Sequence, residues 1–331
     1  MVVDTNVKAT NLLEVRELTV GFPSRRGVVL AANRVNLSLS YSRTLGLVGE
    51  SGCGKSVTLR SVIAMVPKPG EILSGEVLWD GRDLIGRSSR EMRAIRGREI
   101  TMIFQDPGAS LNPVYSLGVQ ISEIFRVRLG FSRKDAYDRT VDLLRSVGIP
   151  SPAERIRNYP HQLSGGMRQR VMIAMAVAPG PRLLLADEPT TAVDVTIQEQ
   201  ILSLLTELQQ ESGMAMLLVS HDLGVISQTC DDIAVMYAGY VVECGSRDEI
   251  VSSPRHPYTR ALLAAELVFE PSEHRSRLET IGGQPPDLGD LPPGCPFQQR
   301  CPHAKQECSD VPMVLDRPAP EHGSTCPFMG V

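Results

Sequence analysis

Between Gly49 and Ser56 the chain reads GESGCGKS, which fits the pattern G-x-x-x-x-G-K-[ST]. In such a loop Gly49, Gly52 and Gly54 let backbone N–H groups turn toward phosphate oxygens, and Glu50, Ser51, Cys53 and Val57 are further candidate nucleotide-binding positions. Lys55 adds positive charge and Ser56 a hydroxyl suited to magnesium. A second phrase, LSGGM at 163–167, places Ser164, Gly165 and Gly166 at a predicted helix start, where free N–H groups and the positive dipole end favour another anion. A third, LLLADE, ends in the adjacent carboxylates Asp187 and Glu188. Splitting a terminal phosphate needs charge neutralisation and an oriented water. Asp187 suits a magnesium contact and Glu188 the polarisation of the attacking water. Gln105 closes EITMIF and His221 follows AMLLVS; both stand at strand ends, where they can sense the metal, the water or the terminal phosphate.

The ordered series GESGCGKS, Gln105 in MIFQD, LSGGM, LLLADEP and His221 in LLVSHD resembles the ATPase subunit of an ABC system over roughly residues 12–250. QDPGASLNP at 105–113, HQLSGGMRQRVMIAMA at 161–176 and HPYTRALL at 256–263 are similar to the oligopeptide, dipeptide and nickel importer subfamily. That resemblance implies ATP and Mg2+ as cofactors, with Lys55, Gln105, Glu188 and His221 as the catalytic set and Ser56, Gln105 and Asp187 toward magnesium. It implies that Phe22, after the first strand, stacks on adenine. It also implies that Ser164, Gly165 and Gly166 touch ATP bound by a facing subunit, identical or homologous. Met167 stands where Gln is more usual, and Val193 replaces a more usual Leu beside Asp194, in the loop that crosses between subunits. The implied partners are a second ATPase subunit, two membrane-spanning permease subunits and an extracytoplasmic substrate-binding protein. The implied location is peripheral, on the cytoplasmic face of the cell (inner) membrane. Import of short peptides leads; nickel or another solute is the alternative, and a soluble ABC ATPase in nucleic-acid processing or a cluster-bearing redox regulator is the more distant one.

The elements that must position these residues are legible in outline. NLLEVRELTV at 11–20 and LAANRVNLSLS at 30–40 alternate with period two, as half-buried antiparallel strands do. TLGLV at 44–48, LLLAD at 183–187 and AMLLVS at 215–220 are continuous apolar runs of the kind found in a parallel sheet covered by helices. KSVTLRSVIAMV and TIQEQILSLLTELQQESG have helical spacing. The expected fold class is α/β: a P-loop NTPase of ABC type, with a RecA-like parallel core and an antiparallel β subdomain over 12–250. A helical subdomain is inserted at about 106–163, and an irregular Cys-rich C-terminal domain fills 251–331.

The 331 residues carry seven cysteines, four of which, Cys295, Cys301, Cys308 and Cys326, crowd the proline-punctuated tail as C-x5-C-x6-C-x17-C. Reduced thiols so clustered argue for a metal site more than for disulfides. The spacing lacks the short knuckle of structural zinc, and four thiolates suit a [4Fe-4S] cluster, with zinc or unliganded structural thiols as alternatives. The tail phrase GCPFQQRCPHA also resembles importer ATPases, some of which hold such a cluster. Cys53 contributes backbone to the loop, and Cys230 and Cys244 read as buried small hydrophobes.

Bulk properties narrow the function class. A net charge of −4 lacks the basic footprint of a duplex-binding protein, so nucleic acid is not an expected partner. No window approaches the roughly 18 apolar residues of a membrane helix, and the polar start MVVDTNVKAT lacks the apolar core of a secretory signal.

Overall fold

The computed structural model describes residues 11–191, 194–266, 281–315 and 321–328. In chain order its elements are strands β1 (Asn11–Ser24), β2 (Gly27–Ser40) and β3 (Thr44–Val48), helix α1 (Lys55–Val62), strands β4 (Glu71–Trp79) and β5 (Arg82–Asp83), helix α2 (Ser89–Ile95) and strand β6 (Ile100–Ile103). Helices α3 (Pro107–Ser110), α4 (Leu117–Leu129), α5 (Arg133–Ser146), α6 (Pro152–Arg155) and α7 (Gly165–Val177) follow. The chain continues through β7 (Leu183–Asp187), α8 (Val195–Ser212), β8 (Ala215–Ser220), α9 (Leu223–Thr229), β9 (Asp232–Tyr237) and β10 (Tyr240–Ser246). The last described elements are α10 (Arg247–Ser252), α11 (Pro257–Glu266) and β11 (Gly323–Ser324). Two compact units result, Met1–Arg87 with Ser220–Val331, and Ser88–Val219.

In the first unit, an antiparallel sheet runs in the order β2-β1-β4-β5. Val35, Leu37 and Leu39 are buried while Asn36, Ser38 and Ser40 are half-exposed, because alternate side chains of a strand face opposite ways. They pair with Leu18, Val15 and Leu13, so that one apolar face is built from both strands. The strand β1 runs on to Ser24, so Phe22 lies within it, a correction to its expected place after the strand. Strands β3 and β9 pair in parallel, β9 and β10 antiparallel, and β10 takes the short β11 on its other edge. Every residue of β3 and β9 is buried, as the unbroken apolar runs TLGLV and DIAVMY require. Arg43 closes the entry to β3 with a two-pronged ion pair, both nitrogens 3.0 Å from the Asp232 carboxylate.

The second unit holds the parallel strands β6, β7 and β8 in register, Ile103 opposite Ala186 and Asp187 opposite Val219. The helix α8 connects β7 to β8, starting at an Asp194 side chain that accepts from the Ile197 N–H (3.0 Å) and ending at Gly213 in the left-handed conformation. Between β6 and β7, α4 packs against α5 and α7. Leu117, Ile121 and Phe125 of α4 and Ala136 and Leu144 of α5 are buried, the three-to-four spacing that gives a helix one apolar face. Among the described residues no helix is long and apolar enough to cross a membrane.

Candidate functional site

In the first unit the phosphate loop joins the end of β3 to the start of α1. Gly54 caps that helix at φ 107°, a left-handed conformation, and a Cβ there would stand 1.9 Å from the Ala31 carbonyl oxygen. Only glycine fits both demands. A Cβ on Gly49 would stand 2.1 Å from the Met236 carbonyl oxygen, so the loop is seated directly on the β9 backbone. Cys53 donates its N–H to the Glu50 carbonyl (3.4 Å), and its own carbonyl accepts from Gly239 N–H (2.9 Å) in the β9–β10 turn. Its thiol is buried and desolvation raises its pKa, which fits an inert position. Lys55 is 4% exposed, and its ammonium donates to the carbonyls of Gly49 (2.7 Å) and Glu50 (3.0 Å), folded back over the loop whose phosphate it is placed to meet. Ser56 and Val57 occupy the first turn of α1, where helix N–H groups lack intrahelical acceptors. The Phe22 ring lies against Gly70, where a Cβ would stand 2.4 Å from it. His221 is exposed just beyond Ser220, ahead of α9, whose Asp222 cap accepts from Val225 N–H (3.0 Å).

In the second unit Asp187 is the last residue of β7 and is fully buried. Glu188 turns the chain at φ 45°, uncommon for a residue with a Cβ, while its N–H donates to the Val219 carbonyl (3.1 Å). The turn aims its carboxylate at Gln105 and Thr191: Gln105 Nε2 donates to Glu188 Oε2 (3.1 Å), and so does the Thr191 hydroxyl (2.9 Å). Gln105 and Glu188, 83 residues apart in the sequence, thus meet through this hydrogen bond. Thr191 was not singled out; its place three residues after Glu188 in DEPTT is the signal that marks it. Ser164 caps α7, its hydroxyl accepting from Met167 N–H (3.3 Å), and Gly165 and Gly166 form the half-exposed first turn. A Cβ on Gly166 would stand 2.9 Å from Ile197 Cγ2, so α7 and α8 approach closely there. Val193 lies outside the described residues.

The C-terminal residues 281–315 and 321–328 belong to the unit that holds the phosphate loop. Tyr258, from HPYTRALL, is buried and its hydroxyl accepts the Glu50 N–H (2.9 Å). Arg300, from GCPFQQRCPHA, meets the Glu50 carboxylate with both terminal nitrogens (2.6 and 2.9 Å). The sequence marked both phrases but gave these two residues no role, since nothing local links position 50 to position 300. Behind them Glu243 is fully buried and accepts from Arg255 N–H (2.6 Å), His256 N–H (2.8 Å) and His322 Nε2 (2.8 Å).

The seven cysteines form no disulfide, and among the described residues no group of three or more His, Cys, Asp or Glu is arranged to hold a metal ion. The charges of Cys301, Cys308 and Cys326 act on Cys295, and those of Cys308 and Cys326 on Cys301. Burial, then the neighbouring sulfurs, push Cys295 up to about 11 and raise Cys301. Backbone N–H groups of Phe297, His303 and Lys305 are directed at the sulfurs of Cys295, Cys301 and Cys308.

Residues 32–191 match the ABC transporter family model, and residues 242–308 match the model of the oligopeptide/dipeptide transporter C-terminal region. A probable peptide ABC transporter ATP-binding protein of Sinorhizobium fredii is 46% identical, over 98% of this chain and 97% of that protein. The chain belongs to the family of oligopeptide/dipeptide transport ATP-binding proteins. The oligopeptide transport ATP-binding protein OppD of Bacillus subtilis is 48% identical over 90% of this chain and 83% of that protein. The dipeptide transport ATP-binding protein DppD of Escherichia coli is 45% identical over 96% of each. Among solved structures, a dimeric post-hydrolysis state of an ATP-binding cassette bound to ADP and Pi is 27% identical, with a TM-score of 0.64, covering 71% of this chain and 98% of that one. The ABC ATPase fold and ATP hydrolysis follow from that membership.

Proposed function

We propose that this ABC ATPase energises the import of short peptides, as a peripheral subunit on the cytoplasmic face of a membrane transporter. The observation that carries this reading is the pairing of a complete phosphate loop with a C-terminal segment matching the oligopeptide/dipeptide transporter region, whose Tyr258 contacts that loop. In this reading the loop Gly49–Val57 takes the triphosphate through Lys55 and the amides not engaged within the protein, the Glu50 N–H being held by Tyr258; Phe22 takes the adenine, Glu188 polarises the attacking water, and His221 contacts the terminal phosphate. Gln105 and Thr191 orient the Glu188 carboxylate, as their hydrogen bonds to it support. The hydroxyl of Ser56, the amide oxygen of Gln105 and the carboxylate of Asp187 are the hard oxygen donors magnesium prefers, and the ion supplies neutralisation of phosphate charge. Ser164, Gly165 and Gly166 present the start of α7 to nucleotide on a facing ATPase subunit. Exposed Val114, Tyr115 and Val119, next to the stretch from Asp106 to Pro113, offer apolar surface to a permease.

Reconstitution tests this. Purified with its permeases in lipid vesicles, the subunit should show ATP-dependent uptake of short peptides delivered by a binding protein. Uptake of nickel with no response to peptides would replace peptide by metal as cargo, and retention of nucleic acid through moderate salt would favour the nucleic-acid reading.

A [4Fe-4S] cluster on Cys295, Cys301, Cys308 and Cys326 is a second component of the proposal, supported by the three backbone donors aimed at the sulfurs. Such donors stabilise thiolates and tune clusters. Four cysteine thiolates are the donor set such a cluster takes. Anaerobically purified protein should be brown and contain about four irons per chain. Stoichiometric zinc without iron would overturn this.

A further inference from the structure

Glu50 is a paradox within the phosphate loop. A loop that must attract a polyanion carries a carboxylate at its second position, between Gly49 and the N–H groups that meet phosphate. The structure resolves it through Arg300. Its Nη1 and Nη2 lie 2.6 and 2.9 Å from the two Glu50 carboxylate oxygens, a bidentate pair. Its remaining donors are also engaged: Nε with the Gly282 carbonyl (2.8 Å), Nη1 with the Tyr237 hydroxyl (3.3 Å) and Nη2 with the Ile281 carbonyl (3.4 Å). The guanidinium stands 5.9 and 6.0 Å from the ring centroids of Tyr237 and Phe297. Its side chain is 5% exposed and that of Glu50 24%. A pair so placed is shielded from the solvent screening that makes surface ion pairs weak. On the backbone side, Tyr258 holds the Glu50 N–H, and the rings of Tyr237, Tyr258 and Phe297 pack with centroids 4.5 to 5.3 Å apart. The second residue of the loop is therefore fixed at main chain and side chain by residues 200 or more positions downstream.

We propose that Arg300 is a positioning residue for ATP binding: it neutralises Glu50 and turns its carboxylate aside, so that the phosphate loop presents net positive potential to the triphosphate. The proposal rests on this loop being the ATP site. An Arg300→Gln variant leaves the carboxylate uncompensated beside the phosphates, and like charge at that range opposes binding. A Glu50→Gln variant leaves the cation without its anion and favours the nucleotide.

The test is ATP affinity of the full chain by titration, with hydrolysis kinetics alongside. Lys55→Ala serves as the control; if the wild type binds ATP no better than this variant, the ATP site itself is misassigned. With that control satisfied, Arg300→Gln should weaken ATP binding on the order of tenfold and raise KM more than it lowers kcat. Adding Glu50→Gln to Arg300→Gln should restore most of the loss. A purely structural Arg300 predicts no such rescue, and a double variant as weak as the single one overturns the proposal. Wild-type affinity in Arg300→Gln overturns it too. Should Arg300→Gln fail to fold, Glu50→Gln alone decides: affinity equal to or above wild type supports the neutralising role, and weaker affinity refutes it.

Discussion

Lys55 and Glu188 serve different parts of one reaction, and substitution should separate them. Removing the ammonium with Lys55→Ala should abolish ATP binding, because a triphosphate then meets a loop without its cation. Glu188→Gln keeps the shape and a hydrogen-bonding group next to Gln105 and Thr191 but removes the base. ATP affinity should remain near wild type while turnover falls about 10²- to 10⁴-fold. Normal turnover in this variant would remove Glu188 from the role given it. The identities of these residues were legible because each motif states its own chemistry at short range: glycines before a lysine, a carboxylate pair after an apolar run. Thr191 and Arg300 were not legible in that way. Their parts are set by what folding brings beside them, Glu188 Oε2 and the Glu50 carboxylate.

At the scale of elements, the edge formed by β10, β11 and the start of α11 depends on one buried anion. Glu243 satisfies two backbone N–H groups that precede α11 and the His322 ring beside β11. Glu243→Ala strands these donors in the interior and should cost roughly 3 kcal/mol in denaturant unfolding. His256 adds a dependence on acidity. Burial lowers its pKa from 6.5 to about 3, so the folded state holds it neutral where the unfolded chain takes up a proton. The stability this residue contributes is complete above pH 6.5 and is lost as pH falls toward 3, at up to about 1.4 kcal/mol per pH unit. The stability deficit of His256→Gln relative to wild type should therefore shrink between pH 7 and pH 4.5; a constant deficit would show that His256 titrates normally in the fold. Other strands illustrate what patterning conveys. TLGLV, LLLAD and AMLLVS announced themselves as unbroken apolar runs. The two-residue β11 is too short for any periodicity and exists because β10 offers Glu243 and Cys244 as partners.

On the scale of the whole molecule, the tail was foreseen as an appendage, since its prolines and scattered cysteines carry no helix or strand rhythm. Besides its pairing with β10 it reaches the phosphate loop of its own unit, through Tyr258 and Arg300, and such long-range pairing leaves no mark on either stretch of sequence alone. Phe297 and Arg300 lie between Cys295 and Cys301, and the N–H of Cys295 donates to the Cys308 carbonyl (2.9 Å). In a Cys53→Ser background, alkylating the tail thiols should lower ATP affinity together with any bound metal, read by nucleotide titration; unchanged affinity would show the tail to be mechanically silent. On that expectation the chemical condition of four sulfurs is felt at the motor's fuel inlet, and reagents harsh to thiols should slow uptake in the reconstituted system.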